Sequence, residues 1–246
     1  MAAPSWRVAG VDGCRGGWLV AGAAIGAGGA LTLEPLLVCS RFEDVLASGF
    51  AVVAVDIPIG LPDGPLPRGR VCDREARRLL GFPRCTSVFS APSRPAVAAG
   101  SFAEAQARNG GMTLETFNVC AKVADVDAAL DPAVQERVIE VHPELCFFEL
   151  NEGRSVVEPK RKAAGRVARL TLLAGALAGA LPGGLPGFRP RAADALASRP
   201  RRAAADDVLD ALAALWTAHR YAEGRAVRVP ASPPLDGRGL RMEIWR

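Results

Sequence analysis

The stretch that decides the fold is Val8-Ala9-Gly10-Val11-Asp12-Gly13-Cys14-Arg15-Gly16-Gly17-Trp18. Its apolar beginning predicts a β-strand that ends at Asp12. The glycine-rich segment Gly13–Gly17 predicts a tight turn, because glycine adopts backbone angles that other residues avoid. The apolar segment Trp18–Ile25 then predicts a second strand that returns beside the first. The chain therefore opens on a predicted hairpin with a carboxylate at the end of its first strand.

Strand and helix patterns alternate over the rest of the chain. Leu31–Val38 predicts a third strand of the same meander. Ala51–Ile57 predicts a central strand buried on both faces, since it is a continuous apolar run with β-branched residues. Arg137–His142 predicts a fifth strand. Helical patterns occupy Arg41–Ser48, Cys72–Leu80, Phe102–Asn109, Leu114–Leu130, Glu144–Asn151, Lys160–Leu181 and Ala203–Glu223.

The order of these elements, β-β-β-α-β-α-β-α, predicts an α/β domain with the RNase H-like arrangement. We expect a mixed five-stranded sheet whose first three strands form a meander, with helices on both faces. A helical insertion of about 62–132 separates the fourth and fifth strands, and Gly183–Pro200 has the composition of a crossover. A length of 246 residues favours one domain, over 1–246.

Composition limits the class of protein. Half of the residues are apolar and the net charge is +4, which is compatible with a nucleic-acid partner. None of the six cysteines forms a Cys-x-x-Cys pair, which argues against a zinc ribbon. The chain opens without a signal-peptide pattern, and its longest apolar stretch, Leu170–Leu181, is too short to span a bilayer. We expect a cytoplasmic protein with reduced thiols and no membrane partner; the oligomeric state is left open.

Acidic residues lie where a carboxylate has no ordinary reason to be. Asp12 and Asp56 each end an apolar strand pattern, Glu140 lies inside another, and Asp207 and Asp210 lie on an alanine- and leucine-rich helix. Such charges cost desolvation energy unless a partner compensates them. Adjacent strands would place Asp12 and Asp56 side by side. Small residues around the helical pair would let that helix approach the sheet closely.

Hard divalent cations bind carboxylate oxygens, so this set predicts a Mg²⁺ or Mn²⁺ site. We expect Asp12, Asp56, Asp207 and Asp210 to hold the metal, with Glu140 completing the catalytic set. Two ions about 3.5–4 Å apart can activate water and stabilise a leaving oxygen. The prediction is a metal-dependent hydrolase of phosphodiesters. A single aspartate at a strand or helix end is more often a turn or cap residue, so the conjunction of the acids carries this prediction.

Six short motifs resemble one family, the domain of unknown function 429 family, described as predicted RNase H-like nucleases. The motifs begin at Val11, Val55, Arg70, Ser87, Glu140 and Asp207, and the resemblance runs from about Val8 to Ala222. It implies the RNase H-like fold and, by analogy, nuclease activity on nucleic acid or a nucleotide. The closing Asp-x-x-Asp-Ala-Leu-Ala also resembles that of Holliday-junction resolvases on this fold, in which the pair binds metal.

Other motif residues are candidates for substrate binding. Arg15, Arg77 and Arg94 carry guanidinium groups that suit phosphate oxygens. Asp73 could instead pair with Arg77 four residues on and only steady a helix. His142 could order the attacking water, act as a general acid, or simply be hydrogen-bonded at a strand end.

Two other functions remain open. One is a non-catalytic module that binds nucleic acid or a nucleotide and retains the acids for stability. The other is an actin-like or sugar-kinase-like ATPase, because such proteins follow an early strand aspartate with a glycine-rich phosphate hairpin. The chain is short for a two-domain ATPase, and it lacks a Walker motif and a second Asp-x-Gly hairpin. The substrate could be DNA, RNA, a junction or a small nucleotide.

Overall fold

The computed structural model describes residues 6–26, 29, 31–178 and 199–246. Its centre is a mixed sheet in the order β3-β2-β1-β5-β6, with β4 also paired to β2. The strands are β1 (Trp6–Cys14), β2 (Gly17–Ile25), β3 (Leu31–Leu33), β4 (Leu37–Cys39), β5 (Val52–Val55) and β6 (Val138–Glu140). β1 and β2 form the predicted antiparallel hairpin, and β1, β5 and β6 are parallel to one another.

The predicted third strand, Leu31–Val38, is wrong as a single element. It is divided into β3 and β4, which pair with opposite ends of β2. The division falls at Glu34-Pro35-Leu36, where Pro35 has no N–H to donate to a ladder. Glu34 turns its carboxylate toward Arg7, at 2.6 Å. The sheet therefore has six strands among the described residues, not five.

Eight helices are described besides these strands. They are α1 (Phe42–Ala47), α2 (Val71–Leu80), α3 (Arg94–Val97), α4 (Phe102–Arg108), α5 (Leu114–Ala129), α6 (Pro143–Leu150), α7 (Ala163–Ala178) and α8 (Ala205–Ala222). A small antiparallel sheet of β7 (Arg228–Val229) and β8 (Ile244–Trp245) lies near the end of the chain. The mixed α/β class is confirmed. The predicted crossover Gly183–Pro200 lies outside the described residues except for its last two positions.

Helices cover both faces of the sheet. Val8, Ala54 and Ile139 point to a core built with α6, α7 and α8. Their neighbours Val53 and Val138 point to the opposite core, built with α1 and α5. This alternation follows from the pleat, which turns successive side chains to opposite faces. None of the helices in the described ranges is long and apolar enough to cross a membrane.

Gly10 sets the distance between α8 and the sheet. A Cβ atom at this position would lie 2.0 Å from the Ala211 carbonyl oxygen and 2.0 Å from the Leu215 amide nitrogen. The helix backbone therefore rests directly on β1, an approach that only glycine permits. This contact brings the first turns of α8 over the carboxyl end of β1.

Candidate active site

Asp12 and Asp56 form the floor of the candidate site. β1 and β5 are parallel, with Val11 opposite Val55, so the two aspartates that follow lie side by side at the carboxyl edge of the sheet. The Asp56 amide donates to the Val11 carbonyl at 3.0 Å, which continues the ladder to this point. The Asp12 Oδ1 atom accepts from the Gly13 amide at 2.7 Å.

Both carboxylates point to the face that α8 covers. Gly10 touches α8, and Ala54 lies in the core that α8 helps to form. Asp12 and Asp56 stand two residues further along their strands, and the pleat returns them to that same face. The strand register therefore places the two predicted carboxylates together.

α8 adds two further carboxylates from above. Asp210 is only 2 % exposed. Asp207, one turn earlier, accepts a hydrogen bond from the Ala204 amide at 2.8 Å and so also caps the helix. Burial, and then the charges of Asp56, Asp210 and Asp207, raise the pKa of Asp12 well above its ordinary value. The other three predicted metal ligands therefore lie within electrostatic reach of Asp12.

Lys160 is one residue at this site that the sequence did not predict. It lies in the turn before α7, and its Nζ atom forms a short contact and ion pair with the Asp210 Oδ2 atom. Burial opposes its charge, but Asp210, Asp56 and Asp12 outweigh that cost and raise its pKa. The only signal in the sequence was the basic run Lys160-Arg161-Lys162, which resembles an ordinary solvated surface.

Two of the buried carboxyl groups at the site have raised pKa values. Burial is the largest cause that raises the pKa of Asp56 to about 7, and Lys160 opposes the rise. Burial also raises the pKa of Asp210 to about 7, again against Lys160 and with a contribution from Asp56. Carboxylates that repel one another in this way favour an added cation. One lysine is shared by several acids, so their charge is only partly compensated.

Glu144 forms a wall of the site from the first turn of α6. Both of its carboxylate oxygens accept from the Arg169 Nη2 atom, at 2.8 Å each. Arg169, on α7, is fully buried, and no pattern in the sequence predicts this pair. The pair joins α6 to α7 behind the acids and holds Glu144 in place.

His142 stands between this wall and the insertion. Its Nε2 atom lies 3.3 Å from the Ser87 carbonyl, while Nδ1 is buried without a hydrogen-bond partner among the described residues. Burial lowers the pKa of His142, so the ring is neutral at neutral pH. A proton on Nε2 satisfies the contact with the carbonyl and leaves Nδ1 as an acceptor.

Glu140 does not join the acids. It shares the face of Val138, which is the face opposite Asp12 and Asp56. Its carboxylate accepts from Arg70 at 2.6 and 2.8 Å and from the Ile59 amide at 2.6 Å. Arg70 also pairs with Asp73 at 2.7 Å, so these three charges form a buried network. A carboxylate one residue earlier or later on β6 would point to the face of Asp12 and Asp56, as predicted.

The three predicted arginines lie in different surroundings. Arg15 is exposed in the hairpin turn, directly after the strand that carries Asp12. Arg77 donates to the carbonyls of Val88 and Arg68, at 2.8 and 2.9 Å, and to the Ser90 hydroxyl at 2.9 Å. Asp73 pairs with Arg70 rather than with Arg77. The Arg77 guanidinium thus fastens the loop before α3.

Arg94 is also held by internal partners. Its guanidinium makes ion pairs with Asp127 at 3.1 Å, Asp236 at 2.6 Å and Asp63 at 3.2 Å. These acids come from α5, the chain near its end, and the loop after β5. Three carboxylates around one guanidinium leave little capacity for phosphate. The structure does not bring Arg77 or Arg94 to the acid cluster.

A cleft gives access to the acids. Its volume is about 480 Å³, and its walls come from the turn Arg84–Ser87, the start of α6 and the segment before α7. Asp56, His142, Glu144 and Lys160 line it. A small molecule or a chain segment can therefore reach the carboxylates of Asp56 and Glu144 from solvent.

The donor chemistry of the site fits a hard divalent cation. Among the described residues, no group of three or more His, Cys, Asp or Glu side chains is already arranged to hold a metal. However, the Asp210 Oδ1 atom is buried and has no hydrogen-bond partner in that part of the chain. Asp12, Asp56 and Asp207 add further carboxylate oxygens, the ligands that Mg²⁺ and Mn²⁺ prefer. In this structure the Lys160 ammonium group supplies a positive charge next to these carboxylates.

A comparison with known proteins places the chain in a family. A family model described as "Protein of unknown function (DUF429)" matches residues 10–235, which is most of the chain and includes Asp12, Asp56, Asp207 and Asp210. No curated protein and no solved structure shows a significant match. The length of the match shows that this protein belongs to the DUF429 family.

Proposed function

We propose that this protein hydrolyses phosphodiester bonds, with Mg²⁺ or Mn²⁺ held by Asp12, Asp56, Asp207 and Asp210. The observation that carries the proposal is the meeting of these acids at one sheet edge, where Asp56, Asp210 and Asp207 all raise the pKa of Asp12. Buried acids that shift one another's pKa in a cleft are a mark of functional sites. Like charges that are gathered at one place repel one another, and a bound cation would relieve that repulsion.

The proposed fold is RNase H-like. A three-part antiparallel meander is followed by two parallel strands, with α8 packed across β1 and β5. The order of strands and helices is the one expected for that arrangement, apart from the division of the third strand. The analogy supports the chemistry only through the position of the acids.

Each residue has a distinct task in the proposed reaction. A bound divalent cation would lower the pKa of water and neutralise phosphate charge. Asp12 and Asp56 would hold it on rigid strand ends, and Asp210 would hold it from α8. The neutral His142, with Nδ1 free, can accept a proton from attacking water. Lys160 can donate hydrogen bonds to the negative charge that develops on the phosphate.

One observation favours a second candidate, the non-catalytic module that binds nucleic acid or a nucleotide. The Lys160 ammonium already compensates part of the acid cluster without metal. In such a module the lysine would be the permanent counter-charge of the acids. Metal-dependent turnover is expected for the hydrolase and not for the binding module, so it distinguishes the two hypotheses.

The ATPase reading gains no comparable support. Gly17 in the hairpin turn has a structural reason, since a Cβ atom there would lie 2.0 Å from the Cys39 carbonyl oxygen. Gly17 also has a φ of 151°, which side chains rarely adopt. The glycine therefore allows β4 to approach β2 whether or not a phosphate binds.

The decisive experiment is a cleavage screen with Mg²⁺, Mn²⁺ and Ca²⁺. Labelled single-stranded, duplex and junction DNA, RNA and free nucleotides are offered to the wild type and to Asp12→Asn. We expect the variant to lose at least about 100-fold in rate with both active metals, because a charged ligand is removed. Glu75→Gln removes a charge on α2, away from the acids, and serves as the matched control.

Two results would contradict the proposal. Undiminished cleavage by purified Asp12→Asn would mean another active site or a contaminant. No cleavage of any substrate by the wild type with either metal would favour the binding module.

A further inference from the structure

We propose that the cleft continues into a groove that binds an extended single strand of nucleic acid, with Phe89 as a stacking platform for a base. The inference rests on the proposed function, because it takes the acids as the point where the strand is cut. It goes further in naming the form of the substrate and the surface that selects it.

Two cavities form this groove. The cleft of about 480 Å³ at the acids and a second cavity of about 860 Å³ share Thr86, Ser87, Phe89 and Arg161 in their walls. The second cavity then follows the insertion along the turn 109–113 to the first turns of α5. The shared residues place the two spaces next to each other, and the proposed groove joins them across Phe89. The groove therefore runs from Asp56 and His142 at its inner end to the start of α5 at its outer end.

Phe89 stands where the two cavities meet. It is 38 % exposed, and it also borders the small space beside Asp56 and His142. An aromatic ring on a groove wall near the reacting acids offers a face to an unstacked base. The partial exposure of Phe89 distinguishes it from a core residue, and its position beside the site distinguishes it from an isolated aromatic residue on the surface.

The loop that carries Phe89 is fastened on both sides. Arg77 donates to the Val88 carbonyl at 2.8 Å and to the Ser90 hydroxyl at 2.9 Å. The Ala91 amide donates to the buried Asp73 carboxylate at 3.1 Å. These contacts join the α2 motif to the segment that carries Phe89. A platform that is already ordered loses little entropy when a base stacks on it.

Cations line the inner half of the groove. Arg84 and Arg161 border the cleft beside the acids, and neither guanidinium makes a hydrogen bond or ion pair in the described part of the chain. Arg161 also borders the outer cavity, where Glu115 is the acidic residue. Two unengaged guanidinium groups that line the same cleft as Phe89 suit the phosphates that flank a stacked base.

The shape favours a single strand over a duplex or a mononucleotide. Asp56 lines the inner end of the cleft, between the turn Arg84–Ser87 and the start of α6, so a duplex would have to open to bring its backbone there. A mononucleotide would fill the inner cavity and make no use of the outer one. An extended strand uses both.

Binding is measured by fluorescence anisotropy in EDTA, so that no hydrolysis is required. The probes are labelled single strands of about 12 nucleotides, one DNA and one RNA of the same sequence, and the matching duplexes. We expect the wild type to prefer single strands. Phe89→Leu keeps an apolar side chain but loses stacking, and should bind them about 10-fold more weakly.

Matched variants separate stacking and charge from general effects. Phe82→Leu changes an aromatic residue that is 89 % exposed and borders neither cavity, and should bind as the wild type does. Arg161→Ala should weaken binding and lower the salt dependence by about 0.7 in log–log slope, while Arg78→Ala on α2 should not. Comparison of the DNA and RNA probes shows which strand the groove accepts.

The outcomes distinguish this inference from the proposed function. Equal binding by Phe89→Leu and the wild type, or a preference for duplex, overturns the groove even if metal-dependent cleavage is found. Weaker binding by Phe89→Leu and Arg161→Ala supports the groove even if no substrate is cut. In that second case the proposed hydrolysis fails and the groove belongs to a binding module.

Discussion

At the residue scale, Lys160 links the segment before α7 to the acid cluster. Its ammonium pairs with Asp210, and its charge also acts on Asp12 and Asp56. Without a cation the carboxylates repel one another, which destabilises the folded state relative to the unfolded chain. The lysine therefore stabilises the metal-free fold, although its own side chain is 36 % exposed.

Lys160→Met should lower the stability of the metal-free protein at pH 8. We expect a loss of about 1–2 kcal/mol, between the values for exposed and buried pairs. Thermal unfolding in EDTA, followed by circular dichroism, measures the effect. Lys162→Met, two residues on and exposed, should leave the melting temperature unchanged. An equal melting temperature for Lys160→Met and the wild type would contradict the role of Lys160.

The Asp56 carboxyl group should make stability depend on pH. Burial raises the pKa of Asp56 to about 7, above its ordinary value near 4. Between these pH values the folded state holds a proton that the unfolded chain has lost, so the contribution to stability is present at low pH and disappears as pH rises through about 7.

Asp56→Asn should remove this dependence, because asparagine does not titrate. The variant and the wild type should differ little near pH 4. At pH 8, without metal, the variant should be more stable by on the order of 2 kcal/mol, since neighbouring acids share the protons. Urea unfolding across this pH range is the measurement, with Glu75→Gln as control. A variant less stable than wild type at pH 8 would indicate a structural role for the charge.

Sequence found the acids but not all of their partners. Asp12 and Asp56 were visible because each ends an apolar run, and strand pairing then brings them together. Lys160 and Arg169 were not visible, because the path of the chain that brings them to the acids leaves no periodic pattern in the sequence. Glu140 was misplaced by one position of strand register, which local hydrophobicity does not fix where both faces are buried.

At the scale of elements, the contact between β1 and α8 positions the site. Gly10 lets the helix backbone lie on the strand, and α8 carries small residues at the contact, such as Ala211 and Ala214. The alanine- and leucine-rich pattern predicted that the helix would pack closely. The pattern did not predict which residue of β1 the helix contacts, because that depends on how the strands pair in the sheet.

Gly10→Ala should separate α8 from β1. The added Cβ would lie 2.0 Å from the Ala211 carbonyl oxygen and 2.0 Å from the Leu215 amide nitrogen, so backbone must move. We expect a loss of about 1–3 kcal/mol or more, the range for overpacking. Gly175→Ala in α7, where nothing lies within 4 Å, should instead gain about 0.5–1 kcal/mol. Chemical denaturation compares the two; a neutral Gly10→Ala would mean that the contact is looser than the structure has it.

At the scale of the whole molecule, the opening hairpin and the parallel strands β1, β5 and β6 followed from the chain pattern. Short turns and right-handed connections leave few other arrangements for such an order. The path of the insertion did not follow, because its helices are short and its fixed points are buried ion pairs. Arg70, Asp73 and Glu140 join α2 to β6, and Arg94 joins three separate segments. Such pairs connect residues far apart in the sequence.

Metal binding should be visible as a change in the stability of the whole protein. A ligand that binds only the folded state adds about 2.7 kcal/mol at a concentration 100 times its Kd. For a chain of this size that corresponds to a rise in Tm of roughly 5–10 °C. We expect Mg²⁺ and Mn²⁺ to produce such a rise in the wild type, because they relieve the repulsion among the buried acids.

Calcium separates binding from catalysis in the same experiment. Its longer and less regular coordination should still raise Tm while failing to support cleavage, since hydrolysis needs water held in line with the scissile bond. Asp12→Asn should melt no lower than the wild type in EDTA and should lose most of the rise with all three metals. Glu75→Gln should keep it. An undiminished rise in Asp12→Asn would mean that the metal binds elsewhere in the molecule. Lys160 alone would then compensate the charge of the acid cluster.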